Sequence, residues 1–221
     1  LRANTTGVRN TAVGYSTSVS NTVGSRNVSL GFQSSFYNVS GDNNTALGYH
    51  TLFCNTASNN TAVGSNSLRN NTTGTNNVAV GYSALRSNTT GNINTALGWK
   101  SLYSNTTGTN NTAVGFLALL SNTSGIGSTA LGRDALRYAT NGYNTALGFN
   151  SGACITSGAR NVILGSASAN GFGTQNCNIF ISDGAGNIRI FATGSTGFVG
   201  VNTTTPLYQL DVSGDTRVTG I

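Results

Sequence analysis

The sequence contains no glutamate and no methionine, and it has one histidine, one proline and one tryptophan. Only 7% of its 221 residues are charged, and the five acids are all aspartate. Each scarcity removes a class of chemistry. A single histidine, His50, excludes a His-paired metal site, and its variable place in the repeat argues against a Ser-His-Asp triad. It follows Tyr49 at a variable position and reads as a surface residue. Glycoside hydrolysis needs two carboxyl groups facing each other across a bond. The closest acids, Asp211 and Asp215, lie in a short Asp-Val-Ser-Gly-Asp stretch whose composition is that of a turn. Gly184-Ala-Gly186 precedes a strand-like segment rather than a helix, so it does not read as a phosphate loop. No apolar run is long enough to cross a membrane.

Three cysteines without C-x-x-C spacing suggest neither a metal site nor a clear disulfide framework. Buried free thiols are expected at Cys54, Cys154 and Cys177, with a Cys154–Cys177 pairing left open. The formal net charge is +6, but the arginines are scattered, so nucleic acid is not an expected partner. No leader and no initiating methionine are visible, and the chain is expected to be part of a processed product. No catalytic, cofactor or metal residues are expected.

What the sequence has in abundance is a repeat. The phrase NVAVGYSALRSNTTGNIN starts at Asn77, returns as NTALGWKSLYSNTTGTN from Asn94, and again as NTAVGFLALLSNTSGIGS from Asn111. Its glycines are Gly14, Gly31, Gly48, Gly64, Gly81, Gly98, Gly115, Gly132, Gly148 and Gly165, spaced 17 residues apart with two spacings of 16. A period of this length, held for ten copies, marks stacked solenoid architecture.

Counting from each glycine as position 0, Asn stands at −4, Val or Leu at −1, a frequent aromatic at +1, Leu at +4 in six copies, Asn at +7 and Gly at +10. Asn, Thr and Gly disfavour helix and favour turns. The short, partly β-branched apolar pieces suit strands. N-T-A-V-G-Y is expected to form one strand and S-A-L a second, with a bend at the glycine. The two shortened copies are expected to lose their residue between +10 (Ser58 and Gly142) and the next Asn. Asn21-Thr-Val-Gly24 looks like a second strand imitating the first.

The fold class expected is therefore all-β: a parallel β-roll of about ten 17-residue coils, followed by a small β-rich C-terminal segment. Coils at the strand spacing of about 4.8 Å would make a rod on the order of 50 Å long. Val or Leu at −1 and Leu at +4 are expected inside, Asn ladders at the corners, and small residues such as Ala79 and Ala84 on a face that another backbone approaches. So thin a coil would leave apolar surface uncovered, which points to self-association along the long axis. Residues 1–172 are assigned to the repeat domain and 173–221 to the C-terminal segment, which may be intertwined between protomers. In that segment turns are expected at Asp183-Gly184, Gly194 to Gly197 and Gly214-Asp215. The last copies degrade into small residues, as the capping end of a solenoid does.

The N-T-A-V/L-G array resembles the head repeats of trimeric autotransporter adhesins, and more closely the similar repeats of phage and viral tail-fibre proteins. GFVGVNTTTPLYQLDVSGDTRVTG resembles the segment that precedes the intramolecular chaperone domain of endosialidase-type tail spikes and fibres. Together the two resemblances cover nearly the whole chain. They imply a homotrimeric, left-handed parallel β-roll on a virion or cell surface. The period of 17 departs from the shorter adhesin repeat.

The function expected is structural: a trimeric spacer and host- or surface-adhesion element of a phage or virus tail fibre, extracellular, with no membrane insertion. The alternative is a secreted protein that assembles end to end into an extracellular filament or matrix. A polysaccharide-cleaving spike is disfavoured by the missing glutamates, and an ice-binding surface by threonines that sit mostly beside Asn at turns. Partners expected are further copies of the chain and a cell-surface glycan or receptor. Two readings of the aromatic column Tyr49, Tyr82, Trp99 and Phe116 stay open: stacking on sugar rings, or filling an interface between protomers. Asn71, Asn88, Asn105 and Asn122 fit the Asn-x-Ser/Thr acceptor pattern for glycans.

Overall fold

The computed structural model describes residues 1–214. Asp215 and any strand beyond it lie outside the described residues. The described chain is all-β with no helix: a parallel β-solenoid of about ten coils, one per repeat. Each coil contributes one three-residue strand: β1 (Thr11–Val13), β2 (Val28–Leu30), β3 (Thr45–Leu47), β4 (Thr61–Val63), β5 (Val78–Val80), β6 (Thr95–Leu97), β7 (Thr112–Val114), β8 (Thr129–Leu131), β9 (Thr145–Leu147) and β10 (Val162–Leu164). Neighbours pair in parallel at constant register, so Ala79 stands beside Ala62 and Ala96.

The expected second strand is absent from the described coils. S-A-L is a turn whose leucine is left-handed: φ is 49° at Leu52, 46° at Leu68, 49° at Leu85 and 50° at Leu102. A left-handed non-glycine residue costs about 1–2 kcal/mol. Complete burial of a leucine returns about 1.5–3 kcal/mol, and the Leu85 N–H donates to Ser101 O of the next coil at 3.0 Å. Burial and the inter-coil bond together outweigh local preference. Asn21 to Gly24 is likewise a corner, not a strand, with Asn21 Nδ2 donating to Gly24 O.

Inside and outside are also distributed differently from expectation. The strand's inward residue is the alanine at −2, as in Ala46, Ala62, Ala79, Ala96 and Ala113, all fully buried. Val or Leu at −1 faces out, because neighbours in a strand point to opposite sides. Ala79 and Ala84 are core residues rather than a contact face. The interior is three columns thick: alanine at −2, a small residue at +3 and leucine at +4.

Two asparagine ladders close the corners. At −4, each Oδ1 accepts the N–H of the next Asn, as in Asn94 N to Asn77 Oδ1 at 3.0 Å, while Nδ2 reaches a corner carbonyl such as Gly108 O at 2.8 Å. At +7, Nδ2 donates both to its own corner carbonyl and to the preceding Asn, as in Asn88 to Asn71 at 2.7 Å. These side chains satisfy backbone groups that the turns would otherwise bury unpaired. The shortened copies drop the residue before the +10 corner, not after it, and the first of them keeps an Asn at both ladder positions. Ala57 O therefore occupies the place of a corner glycine, accepting from Asn44 and Asn55.

The glycine column stacks on itself. At Gly98, φ is +133°, and a Cβ would lie 2.5 Å from Gly115 O. Only glycine permits both that backbone angle and that approach.

The ladder does not stop where the sequence changes character. β11 (Ile179–Ser182) pairs in parallel with β10, and Asn178 N donates to Asn161 Oδ1 at 2.9 Å. The sheet then reverses into β12 (Ile188–Ala192) and β13 (Val199–Val201), and β14 (Leu210–Val212) returns parallel. Phe172, Phe180 and Phe191, with ring centroids 5.0 to 5.2 Å apart, plug the interior at this end. The turn at Asp183 forms as expected, its Oδ1 accepting the N–H groups of Ala185 and Asn187.

Candidate functional site

The coils build a long, repetitive surface. The outer face of the parallel sheet carries a Val/Leu column at −1, including Val13, Leu30, Leu97, Leu131 and Leu147, all exposed. Beside it runs a column of strand threonines at −3, interrupted by Val28, Val78 and Val162. These threonines lie on the strands, not only in turns. Past the glycine corner comes the aromatic column at +1.

That column is two stacked segments. Tyr15, Phe32 and Tyr49 stack at 5.4 and 5.5 Å with interplanar angles of 11° and 13°. Tyr82, Trp99 and Phe116 stack at 6.2 and 4.8 Å, with angles of 16° and 9°. At the next coil the aromatic is replaced by Arg133, whose guanidinium lies 5.5 Å from the Phe116 centroid and 5.6 Å from that of Phe149. The stacking decides what these rings offer. Trp99 has a ring on each side and Lys100 Nζ at 4.4 Å, so it presents an edge rather than a face to solvent. Sugar stacking needs a free face, and the inner rings of the column have none.

Acids and cations are used locally. Asp134 is nearly buried and takes Arg133 at 3.1 Å and Arg137 at 3.3 Å. Asp183, Asn187 and Arg189 form an exposed cluster; hydrogen bonds from the Asn187 side chain first, then from its backbone N–H and from Arg189, hold the Asp183 carboxyl far below the usual carboxylate range. Asp211 lies in β14, where its Oδ2 accepts from Leu207 N, and the turn expected at Gly214-Asp215 runs outside the described residues. Cations without an acid partner rest on rings instead: Lys100 on Trp99 and Tyr103, Arg86 on Tyr103, Arg69 on Phe53, Arg160 on Tyr143. Among the described residues no group of three metal-ligating side chains converges.

His50 is partly buried rather than free on the surface. It stacks on Tyr49 at 3.9 Å, and its Nε2 lies 2.7 Å from Gln33 Oε1. Burial first, and the Arg69 charge second, push its pKa down. Cys54 and Cys154 are half-buried and Cys177 is exposed, all three as free thiols; burial pushes the Cys54 thiol up. The buried, and the paired, cysteine readings both give way to this.

No protein family, no curated protein and no solved structure matches the chain. The geometry alone therefore carries the assignment of site residues.

The glycan acceptors need correction. Asn71, Asn88, Asn105 and Asn122 are fully buried, and each Nδ2 is committed to a corner carbonyl and to the neighbouring Asn. A sugar on these nitrogens is incompatible with the +7 ladder. The Asn-Thr-Thr-Gly phrase serves the corner instead. What sequence reasoning missed is the direction of the −1 column, and the strand's alternation of outward Thr, inward Ala and outward Val or Leu was the signal for it.

Proposed function

We propose that the chain is a structural fibre segment: a homotrimeric β-roll that acts as spacer and adhesion surface of a phage or virus tail fibre, displayed on the outside of a virion. It is not an enzyme, and it neither binds nucleic acid nor inserts into a membrane. The observation that supports this reading is the outward apolar face of the sheet, with Val or Leu at −1 exposed in six of the ten coils and partly exposed in the other four. Uncovered apolar surface of this extent favours association. The partner that meets it rung for rung must repeat at the same strand spacing of about 4.8 Å, and another copy of this chain does so. The sequence resemblance to trimeric fibre repeats supports a copy number of three.

Sedimentation equilibrium of the soluble segment tests the assembly. The expected mass is three times 22.5 kDa, and a stable monomer sinks the trimer. Release of reducing sugar from a bacterial polysaccharide by purified protein would overturn the non-enzyme reading.

The second reading is a secreted filament or matrix protein built by end-to-end stacking. It draws on the constant parallel register of the coils, which like units stacked end to end would continue. The phenylalanine plug of the coil interior favours the discrete fibre segment.

A further inference from the structure

The aromatic column has one missing rung in its middle. Between Tyr49 and Tyr82 the +1 position is Ser65. The two tyrosines stand two coils apart, so their ring planes are separated by about 9.6 Å, twice the strand spacing. Tyr49 has Phe32 behind it, and His50 leans to the same side, where its Nε2 meets Gln33 of the preceding coil. Tyr82 has Trp99 behind it. Each tyrosine therefore turns its remaining face toward Ser65. Their exposures, 49% and 48%, exceed the 39% and 41% of Trp99 and Phe116, which are covered on both sides.

The same column shows what a missing rung accepts. Where Arg133 replaces the aromatic, a guanidinium fills the space between Phe116 and Phe149. At Ser65 the side chain is too short to reach it. The floor is polar: Asn66 Nδ2 donates to Ser65 Oγ at 3.1 Å, leaving the Asn66 carbonyl oxygen and the Ser65 hydroxyl proton for an incoming group.

We propose that the slot between Tyr49 and Tyr82 is a binding site for a pyranose ring of a glycan chain. Charge and thickness select this occupant. From residue 43 to residue 133 the sequence holds no acid, while Arg69, Arg86 and Lys100 lie in those coils. An incoming guanidinium would find no counter-ion there, unlike Arg133 with its Asp134 partner. A flat aromatic ring between two others needs roughly 7 Å, two van der Waals thicknesses of about 3.5 Å, and would fill the opening loosely. A puckered sugar chair is thicker, places C–H groups against both tyrosine faces, and directs its hydroxyls to Asn66 and Ser65. The slot occurs once among the described residues, so a trimer carries three, and weak sites so linked gain avidity.

This inference deepens the adhesion part of the proposed function. Two soluble probes test it by isothermal titration: cellohexaose, a neutral chain, and a hyaluronan hexasaccharide, an acidic one. At least one is expected to bind. Ser65→Phe supplies the missing rung from within and should weaken that binding at least tenfold. Ser65→Ala leaves the slot open and should retain it, while Tyr82→Ala should lose it. Sedimentation on the same samples confirms that each variant assembles as the parent does. Failure of both probes to bind, or equal binding by the parent and a correctly assembled Ser65→Phe variant, overturns the site. Binding of an oligoarginine peptide in place of either sugar identifies a cation slot and overturns it as well. A monomer that binds sugar removes the trimer and leaves the slot, and a trimer that ignores sugar does the reverse.

Discussion

The buried Oδ1 of Asn122 has no hydrogen-bond partner, because the corresponding corner of the next coil is Ala139. Every earlier +7 rung from Asn71 onward receives an Nδ2 from its successor. The ladder thus ends with one orphaned acceptor, an end cost incurred once.

The first prediction follows from that geometry. Ala139→Asn supplies Asn122 with a donor but faces Ile155, another apolar rung, so the orphan moves along by one coil. Stability should change by less than about 1 kcal/mol. Asn88→Ala removes the donor to Asn71 and the acceptor for Asn105 in mid-ladder. An unsatisfied buried polar group costs about 1–3 kcal/mol, and the lost packing adds to it, so a total of about 2–4 kcal/mol is expected. Urea unfolding of the two variants checks the order, and equal midpoints would contradict it.

Glycine at position 0 supports a second prediction. Gly98→Val places a branched side chain at φ +133° and against Gly115 O. Ser104, in a partly exposed turn of the same coil, meets no such restriction. Gly98→Val should cost several times what Ser104→Val costs, of order 3 kcal/mol or more against less than about 1. Melting temperatures of the two variants provide the comparison, and equal values would remove the close approach assigned to the glycine column.

His50 predicts a pH dependence. Its folded pKa lies below the ordinary 6.5 because burial and Arg69 disfavour the charged ring. Above that value both folded and unfolded chains carry a neutral ring. As the pH falls below about 6.5 the unfolded chain takes up the proton first, so stability declines until the folded ring also titrates. Melting temperature should therefore fall between pH 7 and pH 5, and His50→Gln should flatten that slope. An unchanged slope in the variant would exonerate the histidine.

The repeat was legible because each rung is paired with a chemically identical one. Ten spaced glycines and the Asn columns carry the coil count, the parallel stacking and the corners in residue type and spacing alone. The −1 residues were misplaced because hydrophobicity alone suggested an inward side chain. In a three-residue strand the middle residue and its two flanks point to opposite sides, and here the middle alanine points in because it is the size that a thin coil accepts. The S-A-L turn was misjudged for a related reason: nothing in a leucine's own preference announces a left-handed conformation, which only its buried neighbours enforce. Of the candidate site, the aromatic column was visible in sequence, whereas the use of its faces was not.

The sequence by itself determined the period, the stacked architecture and the glycine and asparagine columns, since all of these are set by residue type and spacing along one coil. The tertiary structure decided which apolar column faces outward, which asparagines are buried in the corner ladder, and which aromatic rings stack face to face. Those outcomes depend on how residues 17 apart sit face to face, and strand alternation and ring stacking settle that only once the coils are laid on one another.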